Sequence, residues 1–178
     1  MVRKMQPASE AERAVSASLA AVDDERLQAR MQTMLAHCEL ANIRPVEFSG
    51  KRLEVGGEPV AAKVSSEVAF AVSRSFMANR LHWRVELADK EEVAVAELAA
   101  VFVVDYEVLD GFEPDEQAAE AIANSTGFFA AYPYARELFQ SQTARLQLNP
   151  LVLGLLLQGA SQPRAVTAVT LPSAPLDE

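Results

Sequence analysis

The 178-residue sequence predicts an α+β fold: a four-stranded antiparallel sheet packed against C-terminal helices, with a further helix added in front. Three observations carry that prediction. Several segments between residues 35 and 108 alternate apolar and polar side chains at the period of a strand. The connections between them are short and polar, which suits antiparallel neighbours with one packed and one wetter face. Beyond residue 113 the period changes to that of a helix, with prolines marking the expected starts.

The elements follow in order. From Ala8 to about Arg30 the chain is rich in alanine, glutamate and arginine, and Ala11, Val15, Leu19 and Val22 recur at helical spacing, with Ser9 as a candidate N-cap. The apolar stripe is narrow, so this helix is expected on the outside of the domain, packing or oligomerising. "LAHCELANIRPVEFSG" (35–50) reads as a strand with an irregularity at Pro45, ending in Val46 and Phe48 before Gly50. In 60–72, Val60, Ala62, Val64, Ser66, Val68, Phe70 and Val72 fall on one side and Lys63, Ser65 and Glu67 on the other. "LHWRVEL" places Leu81, Trp83, Val85 and Leu87 opposite His82, Arg84 and Glu86, and "ADKEE" serves as a hairpin connection. The last strand, about 92–108, sets Phe102, Val104, Tyr106 and Val108 against Asp105 and Glu107.

A short helix is expected over 115–123, with Pro114 and the acidic Asp115 and Glu116 at its start. A longer one is expected to begin at Pro133, with Tyr132 extended before it, and to end before Pro150. On it Ala135, Leu138, Phe139, Gln142 and Leu146 share the inner face, while Gln140, Ser141 and Thr143 look outward. Arg136 needs an acceptor other than its neighbour Glu137, and Asp105 and Glu107 are candidates. The expected organisation is a helical extension at 1–32, the main domain at 33–160 and a frayed, proline-punctuated tail at 161–178.

Composition narrows the function. Half the residues are hydrophobic and 23% are charged, enough apolar content for one well-formed core. A formal net charge of −9 and a pI near 4.8 oppose binding to nucleic acid or to an anionic membrane, both of which reward lysine and arginine. Cys38 is the only cysteine, which excludes an intrachain disulfide and a four-cysteine zinc site. The segment "MVRKMQPASEAER" has no apolar run behind its basic residues, and the longest apolar run, "LVLGLLL", is far short of the roughly 20 residues a membrane span needs. The expectation is a cytoplasmic protein with no membrane insertion and no nucleic-acid partner.

Chemistry-bearing motifs are missing. Neither phosphate-binding glycine pattern occurs, there is no G-x-S-x-G elbow, and His37 and His82, both expected on strands, lack metal-ligand spacing. Cys38 reads as a small buried hydrophobe, and acidic pairs such as Asp23–Asp24 and Glu91–Glu92 read as solvated surface. No catalytic residue, metal or cofactor is expected, and the chain is not expected to be an enzyme.

One stretch is more specific. "AYPYARELFQSQTARLQLNPLVL" resembles the signature of the SecB chaperone family, through Tyr132, Pro133, Tyr134, Ala135, Arg136 and Glu137, then Asn149, Pro150, Leu151, Val152 and Leu153. "VAELAAVFVVDYEV", with Phe102, is a looser match to that family's last strand, and the element order fits over roughly 33–157. The chain departs from the family after the Leu-rich run, in its acidic 113–125 segment and in its tail. The resemblance implies an ATP-independent holdase, assembled as a tetramer, that holds non-native polypeptides in apolar grooves. Its clients are either exported precursors, with the SecA motor as a further partner, or the antitoxin of a toxin–antitoxin pair. Aromatic content and position nominate Phe48, Trp83, Phe128, Phe129, Tyr132, Phe139, Leu151 and Leu153 for the groove, with Pro133, Tyr134, Arg136 and Glu137 as structural motif residues. The alternative is a structural or assembly protein that buries the same surface permanently against a fixed partner.

Overall fold

The structure is a computed structural model and describes residues 24–53, 57–109, 111–154 and 167–170. A helix over 24–36, α1, is the described part of the expected N-terminal helix; residues 8–23 of that expectation lie outside the described residues. It continues past the expected boundary at residue 32 because Met34 is fully buried and Met31 and Leu35 pack against the core. Four long strands follow, β1 (Cys38–Arg52), β2 (Ala61–Val72), β3 (Phe76–Ala88) and β4 (Ala94–Val108). Then come α2 (Glu116–Ile122), a π-helical turn over Ala123–Gly127, α3 (Phe128–Arg145) and a short β5 (Thr167–Thr170). The sheet order is β1–β4–β3–β2–β5, and all pairings are antiparallel.

The alternation read from the sequence sorts the two faces of the sheet. Ala62 and Val64 on β2, Leu81, Trp83, Val85 and Leu87 on β3, and Leu98, Phe102, Val104 and Tyr106 on β4 all turn inward and are buried. Each large side chain so buried contributes roughly 1.5–3 kcal/mol. The outer face is charged, with Arg44 on Asp105 at 3.3 Å and Arg84 on Glu67 at 3.9 Å. These exposed pairs add little stability but keep that face wet. β1 carries the irregularity expected at Pro45, with register shifts between Leu40 and Asn42 and between Pro45 and Glu47.

The helical layer differs from the expectation at its centre. α3 begins at Phe128 rather than at Pro133, so Pro133 lies inside the helix and Tyr132 is helical rather than extended. An interior proline costs about 3 kcal/mol or more. Here that cost is offset because starting early buries Phe128 and Ala131 against the sheet. Glu137 consequently lies in mid-helix and not in a first turn. The Asp115 side chain caps α2 by accepting from the Ala118 amide at 2.9 Å, and Arg30 of α1 grips the same carboxylate, its Nε 2.6 Å from Oδ2. Cap and guanidinium together tie α1 to the start of α2.

Two side-chain expectations fail for identifiable reasons. Thr143, expected outward, is fully buried; its hydroxyl donates to the Gln140 carbonyl at 2.9 Å and accepts from the Leu151 amide at 3.0 Å. α3 stops in a paired-carbonyl cap, Leu148 N–H to Thr143 and Gln147 N–H to Ala144, with Gln147 in the left-handed region at φ 56°. The chain therefore turns back over Thr143. Arg136 does not meet Asp105 or Glu107, because α3 covers the inner face while those carboxylates are on the outer one, where Asp105 is held by Arg44. His37, expected on a strand, sits in the turn after α1 and stacks on Phe112 at 4.5 Å.

The junction of α2 and α3 depends on Gly127. A Cβ built there would collide with the Asn79 side-chain nitrogen, and Asn79 is fully buried on β3. We expect Gly127→Ala to destabilise the fold by about 1–3 kcal/mol, the usual cost of overpacking a core, measured as a lowered urea midpoint; an unchanged midpoint would contradict the close approach.

Asp89 performs a similar service at the β3–β4 turn. Its carboxylate accepts from Gly57 at 2.8 Å, Glu91 at 2.9 Å and Val93 at 3.0 Å, and these amides, that of Gly57 first, hold its pKa below the ordinary value. A depressed carboxylate stabilises the native state above its unfolded pKa and loses that contribution as pH falls through the folded one. The thermal midpoint of the wild type should therefore decline as pH drops below about 4, and Asp89→Asn, less stable at neutral pH, should show a flatter acid limb.

Candidate functional site

The aromatic side chains converge on Trp83. Phe102 meets it edge-on at 5.7 Å and Phe128 lies tilted over it at 5.4 Å. Phe128 in turn touches Phe129 at 6.4 Å and Tyr132 at 6.2 Å. Trp83 and Phe128 are buried, whereas Phe129 and Tyr132, one helical turn apart, form the half-exposed rim of the cluster. The Tyr132 hydroxyl donates to the Gly154 carbonyl at 2.7 Å, which pins the returning 148–154 segment onto α3. Burial pushes the Tyr132 phenol up, with the Arg136 charge acting in the opposite direction.

Of the eight residues expected in a groove, five are core. Trp83, Phe128, Phe139, Leu151 and Leu153 are at most 3% exposed, because α3 and the returning segment close over β3 and β4. Phe129 and Tyr132 stand at the rim, and Phe48 on β1 is 53% exposed. Among the motif residues, Pro133, Tyr134 and Glu137 are exposed along α3 and Arg136 is half-buried. The structure thus brings Phe129 and Tyr132 together around Phe128, and sets Phe48 apart on the edge strand.

Beside Phe48, β1 carries apolar surface that sequence reasoning passed over. Leu40, Ile43, Pro45 and Phe48 pair with Tyr106, Val104, Phe102 and Ala100, so they share the inner, core-bearing face of the sheet. No helix covers most of them: α3 reaches β1 at Gly50, where a built Cβ would lie 2.6 Å from the Gln142 side-chain oxygen. Leu40 is 53% exposed, and Phe76 and Tyr134 are similarly open. Leu40 could have been found by extending the alternation from Phe48 backward, but the two register shifts break the period between them.

No catalytic arrangement is evident among the described residues. Among the described residues no group of three or more His, Cys, Asp and Glu side chains could hold a metal, and no helix is long and apolar enough to cross a membrane. A cleft of about 730 Å³ beside the β3–β4 turn is lined by Glu58, Val60, Asp89, Lys90, Glu91 and Val93, but Asp89 is committed to backbone amides. Cys38 is half-buried with its thiol pKa raised by burial, the opposite of an activated nucleophile.

The fold and this surface define an α+β domain that presents an exposed apolar row on its edge strand and an aromatic rim. No family model matches the sequence. Two SecB-like chaperones from strains of Mycobacterium tuberculosis, Rv1957 and MT2006, are each 39% identical over 69 residues, a match spanning 38% of this chain and 38% of each relative. The solved structure of the Mycobacterium tuberculosis Rv1957 SecB-like chaperone, in complex with a ChAD peptide from the Rv1956 HigA1 antitoxin, superposes with a TM-score of 0.68 at 25% identity. It covers 75% of this chain and 98% of that one. The chain is thus similar to SecB-like chaperones in part of its sequence and in its fold over most of its length.

Proposed function

We propose that this chain is an ATP-independent holdase that binds non-native polypeptides, with an antitoxin as the favoured client and exported precursors as the alternative. The observation that carries this reading is the likeness over nearly the whole length of a chaperone caught holding an antitoxin peptide. The exposed apolar side chains supply the chemistry. Phe129 and Tyr132 at the aromatic rim are the client-contacting residues, and they need no cofactor to act. The departures from the family in the acidic 113–125 segment and the tail argue against SecA as a partner.

Phe48 and Leu40 serve assembly in this reading. β1 has one edge unpaired among the described residues and an uncovered apolar inner face, and a second copy related by a two-fold axis would complete both at once. Two such dimers would make the homotetramer. Light scattering on the purified chain should give a tetramer, and Phe48→Glu, which puts a charge into that seam, should weaken association by about 30-fold, the effect of losing one interface anchor.

The chaperone reading is tested by adding the purified protein, without nucleotide, to a chemically denatured client diluted into buffer. Aggregation, followed by light scattering, should be suppressed at stoichiometric ratios. Replacing Phe129 and Tyr132 by serine should reduce that suppression while the oligomer persists. A stable monomer that leaves aggregation untouched would sink the proposal. A fixed complex with one partner and no suppression would favour the assembly reading.

A further inference from the structure

The far edge of the sheet carries a strand in the segment that the sequence assigns to a frayed tail. β5 lies antiparallel along β2, with Thr170 opposite Ala61, Val169 opposite Ala62, Ala168 opposite Lys63 and Thr167 opposite Val64. Thr167, Val169 and Thr170 are β-branched, which favours the extended form. β2 continues to Val72, and no described strand lies beside Val68–Val72. The tail therefore occupies the first part of an edge that runs further.

This pairing is poised rather than fixed. Four paired residues recover only a few net hydrogen bonds, and ordering the segment consumes a comparable free energy. The segment is tethered to the sheet it pairs with, so a high effective concentration keeps even a weak contact populated. An edge that pairs through backbone groups is tolerant of side-chain sequence, so whatever accepts this segment can accept another extended chain.

We propose that β5 is a resident occupant of the edge at which an extended client segment adds, so that the chain's own C-terminal strand competes with client for Ala61–Val64. The proposal rests on the client-binding reading above and deepens it. At rest the strand covers backbone groups that would otherwise recruit other chains, and a client that also engages the Phe129–Tyr132 rim displaces it.

The test uses the full chain and a reduced, carboxymethylated, fluorophore-labelled unfolded protein as probe. Ala168→Pro combined with Val169→Pro removes two consecutive backbone donors, one of which must face β2 whatever the hydrogen-bonding phase. This variant should bind the probe about tenfold more tightly than wild type, as expected if the edge is free about a tenth of the time. Hydrogen exchange on wild type supplies the second readout. On adding probe, the amides of Ala168–Thr170 should lose protection while Ala62–Val64 keep theirs. Unchanged probe affinity in the variant, or a tail that stays protected with probe bound, overturns the competition. Failure of both proteins to bind the probe at all overturns the client-binding reading itself, and this inference with it.

Discussion

The helical layer hangs on one close approach, Gly127 against Asn79, which sets Phe128 down on Trp83. From that point α2 runs back over β2, while α3 runs forward over β3 and β4 and touches β1 only near Gly50. A helix with its side chains is about 10 Å wide and neighbouring strands are about 4.8 Å apart, so each helix shields roughly two strands. The two helices, which lie mainly over β2, β3 and β4, therefore leave most of the inner face of β1 exposed. The exposure of Leu40 and Phe48 on the inner face is a geometric consequence of where the helices sit.

That placement also explains which parts of the fold were legible. The strands could be read because burial on one face imposes a period of two, and Leu81, Trp83, Val85 and Leu87 obey it without a break. The start of α3 could not. Pro133 has the local signature of a first helical turn, but the tertiary gain from Phe128 and Ala131 outweighs a proline's cost, and nothing in the local sequence states that gain. Thr143 was misassigned for a related reason: its hydroxyl is inward because the chain doubles back and delivers the Leu151 amide to it. For the candidate site, aromatic content pointed to the stretch from Phe128 to Tyr132, where Phe129 and Tyr132 are half-exposed beside buried Phe128. It did not separate the members that become core, such as Trp83 and Phe139, from the rim, because a side chain's exposure depends on what folds over it.

The two edges of the sheet handle the same liability differently. β1 is long and exposed on both faces, and it carries a proline, two register shifts and the charged pair Lys51 and Arg52 at one end. Bulges, proline and charge discourage indiscriminate strand pairing, yet the inward apolar row remains for a partner of matching shape. The edge of β2 between Ala61 and Val64 has no proline and no register shift, only the charge of Lys63, and is covered by β5 instead. One edge is thus restricted by its own irregularity and the other by a resident strand.

These features fit together energetically with the proposed binding of unfolded chains. A single large apolar contact gives roughly 1.5–3 kcal/mol, which is less than the cost of ordering even a few residues of a flexible polypeptide. One rim of two aromatic side chains cannot hold such a chain alone. Backbone pairing along an edge adds attraction without demanding a sequence, and repetition of rim and edge around an oligomer multiplies both through effective concentration. Weak, repeated and sequence-tolerant contacts also release, which a tight pocket built from the buried Trp83 cluster would not. The placement of the strongest aromatic contacts inside the core, with only their margin at the surface, is therefore consistent with the proposed reversible holding.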